Sequence, residues 1–97
     1  MNRNRSIINR ENTIVSSFAK RGRFEIIYDI LSISRKPANK TRILYRANLS
    51  FCLLKKYLDL LILQGLVTQN NGFFLTSEKG KEFLEEFEHL NGFFGNN

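Results

Sequence analysis

The stretch "ANLSFCLLKKYLDLLILQG", Ala47 to Gly65, decides how the rest of the chain is read. It holds seven leucines and one isoleucine, yet keeps Lys55 and Lys56 side by side. Wound at about 100° per residue, it separates into two faces. Phe51, Leu53, Leu54, Tyr57, Leu58, Leu60, Leu61 and Ile62 fall on one broad arc. Cys52, Lys55, Lys56 and Asp59 form a narrow polar lane that only Leu63 interrupts. An apolar arc this wide exceeds the stripe of an ordinary surface helix, so other elements are expected to cover most of it. A polar lane left open on such a helix faces water or a partner.

Around this helix the local signals are clear. Ser50 is a good N-cap, and Gly65 is the residue expected to turn left-handed beyond the C-terminus. Upstream, Asn39 can cap a short helix over Lys40–Ala47, with Ile43, Leu44 and Ala47 facing inward and a stop at Asn48-Leu49. A short helix, a tight turn and a longer helix make a helix-turn-helix unit. Before it, Phe24, Ile27, Tyr28 and Leu31 recur at helical spacing over residues 22–35, and "SRKP" ends that helix before Pro37. After Gly65 the period changes. "LVTQ" and "FFLT" bracket Asn70-Asn71-Gly72, a pattern of two short strands around a tight turn. Ser77 then caps a last helix whose apolar stripe is Phe83, Leu84, Phe87 and Leu90. Gly80 weakens that helix by about 1 kcal/mol relative to alanine, which suggests close packing against the hairpin. Tyr28, Tyr45 and Tyr57 read as packing residues, and Phe51 as the edge of the core. The organisation is a basic arm over 1–19, with a weak apolar patch at Ile14, Val15 and Phe18, a compact domain over 20–76, and a C-terminal helix and tail over 77–97.

Ninety-seven residues, 42% hydrophobic and 25% charged, suit one small globular domain. No apolar run approaches the roughly 20 residues that span a bilayer, and "MNRNRSIINRENT" has no continuous apolar segment behind its basic residues. A soluble, cytoplasmic protein is expected. Cys52 and His89, the single residues of their kinds, make neither a disulfide nor a structural zinc site. There is no paired-carboxylate pattern, phosphate-cradling glycine loop, metal-ligand spacing or nucleophile-base pair. The expectation is therefore no enzyme, no cofactor, no metal and no small-molecule ligand. Charge is more informative. Residues 1–56 carry 13 Lys/Arg against Glu11, Glu25 and Asp29, whereas residues 57–97 carry only Lys79 and Lys81 against six acids. A basic half on a small protein points to a polyanion, because clustered cations release counterions from phosphates.

Helix, helix-turn-helix, hairpin, helix is the order of a winged helix, an α+β and mainly α fold with a three-helix core, a two-stranded wing and a C-terminal helix. From Lys20 to Leu90 the chain resembles small archaeal winged-helix DNA-binding proteins and transcriptional regulators. "KTRILYRANLS", the Tyr-Leu pair of "KKYLDLL", the "GLV" that leads into the wing and "TSEKGKEFL" match together and in order. The resemblance implies double-stranded DNA as partner, with the helix over 51–64 in the major groove, the wing on the backbone or minor groove, and a homodimer formed through the C-terminal helix. Carried onto this chain, it sets Ser50, Cys52, Lys55, Lys56 and Asp59 near base edges, with Phe51 read as core in preference to a contact with a thymine methyl. Lys40, Thr41, Arg42 and Arg46 are set against phosphates, with Asn71 at the wing tip. Phe83, Phe87, Leu90 and Phe94 are the candidate dimer surface. Two departures temper the reading: the wing tip has no Arg or Lys, and the lane holds lysines instead of an arginine fork. Lysines favour phosphate or loosely specific contacts over bidentate reading of guanine. The function implied is a transcriptional regulator or a small chromatin-type protein, nucleoid-associated. The alternative is a winged-helix protein-interaction module within transcription machinery.

Overall fold

The computed structural model describes residues 21–93. The N-terminal arm and Phe94 lie outside the described residues. Helix α1 (Arg23–Ile33) leads through strand β1 (Ala38–Asn39) into α2 (Lys40–Ala47) and α3 (Phe51–Leu63). The hairpin β2 (Val67–Asn70) and β3 (Phe73–Thr76) follows, and α4 (Glu78–Phe93) closes the fold.

The expected caps are in place. The Asn39 side chain accepts from the Arg42 amide at 2.9 Å, and the Ser50 hydroxyl accepts from the Leu53 amide at 3.1 Å. These bonds satisfy amide groups that have no partner within the first turn of a helix. Asn48 ends α2 at φ 56°, and Gly65 follows α3 at φ 78°, where the Leu66 amide donates back to the Leu61 carbonyl at 2.9 Å. Asn71 and Gly72 both have positive φ, 53° and 81°, so the hairpin turns on the two residue types that tolerate this backbone.

A third strand was not legible. β1 is two residues long, and Ala38 and Asn39 pair antiparallel with Phe74 and Phe73, giving a sheet ordered β1-β3-β2. Ala-Asn has neither β propensity nor enough length to alternate. Its pairing is imposed by the neighbouring hairpin.

The core gathers Ile30 and Leu31 of α1, Ile43 of α2, Leu54, Leu58 and Leu61 of α3, Phe74 of β3 and Leu84 of α4, all essentially inaccessible. Burying each such side chain contributes roughly 1.5–3 kcal/mol. On α3 the covered face is narrower than the sequence predicts. Leu54, Tyr57, Leu58 and Leu61 are buried and Leu53 and Ile62 half-buried, but Leu60 is exposed and Phe51 is 59% exposed. The domain is too small to wrap a helix on three sides, so the outer leucines and Phe51 stay in solvent. Tyr45 departs in the same way: it is 76% exposed and does not pack. Phe24 also stands 59% exposed, although its ring stacks on Phe83 at 6.4 Å between centroids.

Thr76 joins the sheet to the end of α1. Its buried hydroxyl donates to the Leu31 carbonyl at 2.6 Å, and its amide donates to the Ser34 carbonyl at 2.8 Å. The last carbonyls of a helix lack intrahelical partners. Here a strand residue supplies them.

Candidate nucleic-acid interface

The polar lane of α3 exists and is open to solvent: Cys52, Lys55, Lys56 and Asp59 are all exposed. Its chemistry differs from the sequence expectation in two respects. Lys55 is already paired, its Nζ 3.1 Å from Asp59 Oδ2 one helical turn later. A pair of this kind, exposed on both sides, contributes only a few tenths of a kcal/mol, so a phosphate can recruit Lys55 at small cost. Lys56 has no carboxylate within 4 Å among the described residues. Phe51, expected at the edge of the core, is instead exposed beside the lane's N-terminal end, while Leu63 interrupts its C-terminal end as expected and is 79% exposed.

The cations that the sequence groups on α2 are divided between two flanks. Lys40 leans toward α3, with its Nζ 5.8 Å from the centre of the Phe51 ring. Arg42 and Arg46, one turn apart on the opposite flank, line a shallow hollow with Arg35, Lys36 and Pro37 from the segment that leaves α1. Lys36 and Arg35 lie outside the residues to which the sequence pattern points. They follow the last turn of α1, and only the pairing of β1 with β3 folds them back beside α2. Arg35 is partly committed, since its guanidinium lies 3.1 Å from Glu88 of α4. Glu88 also accepts from the Tyr28 hydroxyl at 2.9 Å. That hydrogen bond, with burial and the nearby carboxylate charge, raises the Tyr28 pKa above its ordinary value. Arg21 serves the fold: it pairs with Asp29 at 2.6 Å and donates to the Asn48 carbonyl at 3.1 Å.

Thr41 is exposed near the start of α2, and Asn71 is exposed at the wing tip. Ser50 is exposed, but its oxygen is occupied by the cap to Leu53. On α4 the candidate dimer residues are unequal. Phe83 and Phe87 are half-buried against α1, with Phe87 stacked on Tyr28 at 4.9 Å. Leu90 is 52% exposed, and together with Phe24, Phe83 and Phe87 it lines an open groove of about 380 Å³ between α1 and α4. Glu25 and Glu86 stand at the edge of that groove.

The arrangement thus consists of a capped short helix, a turn through left-handed Asn48, an exposed lane on the following helix, and a hairpin beside it. A family model described as winged helix-turn-helix matches residues 20–93. The chain belongs to the winged helix-turn-helix family. Its winged helix is 40% identical over 72 residues to an uncharacterized protein of Methanocaldococcus jannaschii, MJ0287, covering 73% of this chain and 74% of that one. A second uncharacterized protein of that organism, MJ0290, is 31% identical over 72 residues, and there the chain spans only 34% of the relative's length. Among solved structures, the winged helix is similar to Sso10a-2, a DNA-binding protein from Sulfolobus solfataricus, with a TM-score of 0.66 and 30% identity over 75% of this chain and 81% of that one. No helix among the described residues is long and apolar enough to cross a membrane.

Proposed function

We propose that this winged helix-turn-helix protein binds double-stranded DNA, as a transcriptional regulator or a small chromatin-type protein of the nucleoid. The observation that carries the reading is the likeness to Sso10a-2 in sequence as well as fold, on a chain whose exposed cations gather around the helix-turn-helix. In this reading α3 enters the major groove with Cys52, Lys55, Lys56 and Asp59 toward base edges. Asp59 can accept from the amino group of cytosine, and the lysines serve phosphates or purine acceptors. Lys40 and Thr41 meet one strand's backbone, and Asn71 meets the backbone beyond the wing. Arg42 and Arg46, reinforced by Lys36, reach phosphates on the outer flank of α2.

The test is fluorescence anisotropy on a labelled 25-base-pair duplex at low salt, comparing the natural chain with Lys56→Glu. Removing one phosphate contact and adding a repelling charge is expected to weaken binding roughly tenfold, uniformly across sequences. An unchanged affinity would remove the lane from the interface, and no binding by the natural chain would overturn the DNA reading itself.

The same reading makes the protein a homodimer through α4. The exposed rim of the α1–α4 groove, Leu90 with Phe24, is the apolar surface that a symmetric partner helix would cover, in contact with Phe83 and Phe87. Sedimentation at micromolar concentration is expected to show a dimer, and Leu90→Glu to shift it to monomer. A stable monomer of the natural chain would end this part of the proposal.

A further inference from the structure

We infer that Phe51 is a base-reading residue, and that it reads the C5-methyl group of thymine. The inference rests on the DNA-binding reading and adds to it a base preference and a residue outside the polar lane.

Phe51 is the first residue of α3, directly after the N-cap, and the N-terminal turn of a recognition helix is the part that reaches base edges most deeply. Its ring is free to do so. The core is complete without it, and 59% of its surface is in solvent although it belongs to the most hydrophobic of the described helices. The backbone beneath it is fixed by the Ser50–Leu53 cap at 3.1 Å. Lys40 lies over the ring, its ammonium 5.8 Å from the centre. A cation held over one face of an aromatic ring leaves the ring edge and other face available, and it keeps the positive charge where a backbone phosphate passes the groove.

The neighbouring chemistry points the same way. The lane has no arginine to form a fork on guanine, and Lys55 is paired with Asp59. Cys52, beside Phe51, is small and weakly polar. In the major groove the only apolar feature that a base pair presents is the thymine methyl, and phenylalanine is among the residues that contact it. Unmodified DNA offers a C5-methyl only as thymine. An apolar ring beside the charged lane therefore selects A·T pairs at the position beneath it, while the lysines hold the duplex without regard to sequence.

The experiment compares three 25-base-pair duplexes by anisotropy at 100 mM salt: an A·T-rich duplex, the same sequence with uracil replacing every thymine, and a G·C-rich duplex of equal length. Covering one methyl group corresponds to about fourfold in affinity. The natural chain is expected to prefer the thymine duplex by about that factor over the uracil duplex. Phe51→Ala is expected to bind both alike, with the loss confined to thymine, and Phe51→Leu to retain most of the preference. Lys56→Glu is expected to lower affinity for all three duplexes while keeping their ratios. Equal binding of thymine and uracil duplexes by the natural chain overturns the inference and leaves DNA binding standing, as does a preference that survives in Phe51→Ala. Absence of binding to all three overturns the DNA reading and this inference with it.

Discussion

Raising the salt concentration from 50 to 200 mM is expected to weaken binding to a random duplex about 500-fold. The magnitude follows from which cations the fold leaves available. Arg21, Arg35, Lys55 and Lys81 each lie within 3.2 Å of a carboxylate. Lys36, Lys40, Arg42, Arg46 and Lys56 have no such partner among the described residues and cluster around α2 and α3. If each replaces a counterion at one phosphate while Lys55 stays with Asp59, the logarithm of affinity falls with a slope of roughly −4.5 against the logarithm of salt. Anisotropy at four salt concentrations measures that slope directly. A value near −2 would mean that the hollow beside α2 takes no part in binding. A protein-interaction module held by apolar contacts would show almost no slope, so the same titration separates the two classes of function.

The second large effect concerns stability. Gly80→Ala is expected to destabilise the domain by about 2 kcal/mol, although helix propensity alone predicts a gain of about 1 kcal/mol. A β-carbon at Gly80 would sit 2.3 Å from the Leu66 carbonyl oxygen and 2.6 Å from Cγ2 of Thr76. Neither neighbour yields easily. The Leu66 carbonyl accepts from the Ser77 amide at 2.9 Å, and Thr76 is held by α1 through its hydroxyl. Relief therefore requires α4 to lift from the hairpin, with a loss of packing at Leu84. Overpacking of this kind costs roughly 1–3 kcal/mol, toward the upper end when the obstacle is backbone, and that outweighs the propensity gain. Gly92 in the same helix meets nothing within 4 Å, so Gly92→Ala serves as the control and is expected to be neutral or slightly stabilising. Urea denaturation of the two variants decides the matter. A more stable Gly80→Ala would show that α4 does not seat against Leu66 as described.

Much of the architecture was legible because it depends on local chemistry. Asn39, Ser50 and Ser77 lie where caps were expected, Gly65 is left-handed, and the Asn71-Gly72 turn joins the two strands of the wing. Gly80 was readable as a close approach because glycine is costly inside a helix without such a reason. What escaped was decided by the size and shape of the whole. Periodicity gives the direction of an apolar side chain but not the extent of what covers it, so Phe51, Leu60 and Tyr45 were assigned to packing that a domain this small does not supply. β1 exists only because β3 lies beside it. The division of the α2 cations was equally hidden: Lys40, Arg42 and Arg46 are close in sequence, but which flank each occupies matters only once Phe51 and the Arg35-Lys36 segment have been placed on opposite sides of the helix.

The two hydrogen bonds from Thr76 to the end of α1 bear on how the chain folds. They link residues 45 apart in sequence, Thr76 and Leu31, and through them α1 and β3. Until the hairpin has docked, the Leu31 and Ser34 carbonyls lack the partners that Thr76 gives them, and the apolar surface around them cannot be dehydrated without penalty. Docking of the hairpin therefore completes the end of α1, and the described domain is expected to unfold in a single cooperative step.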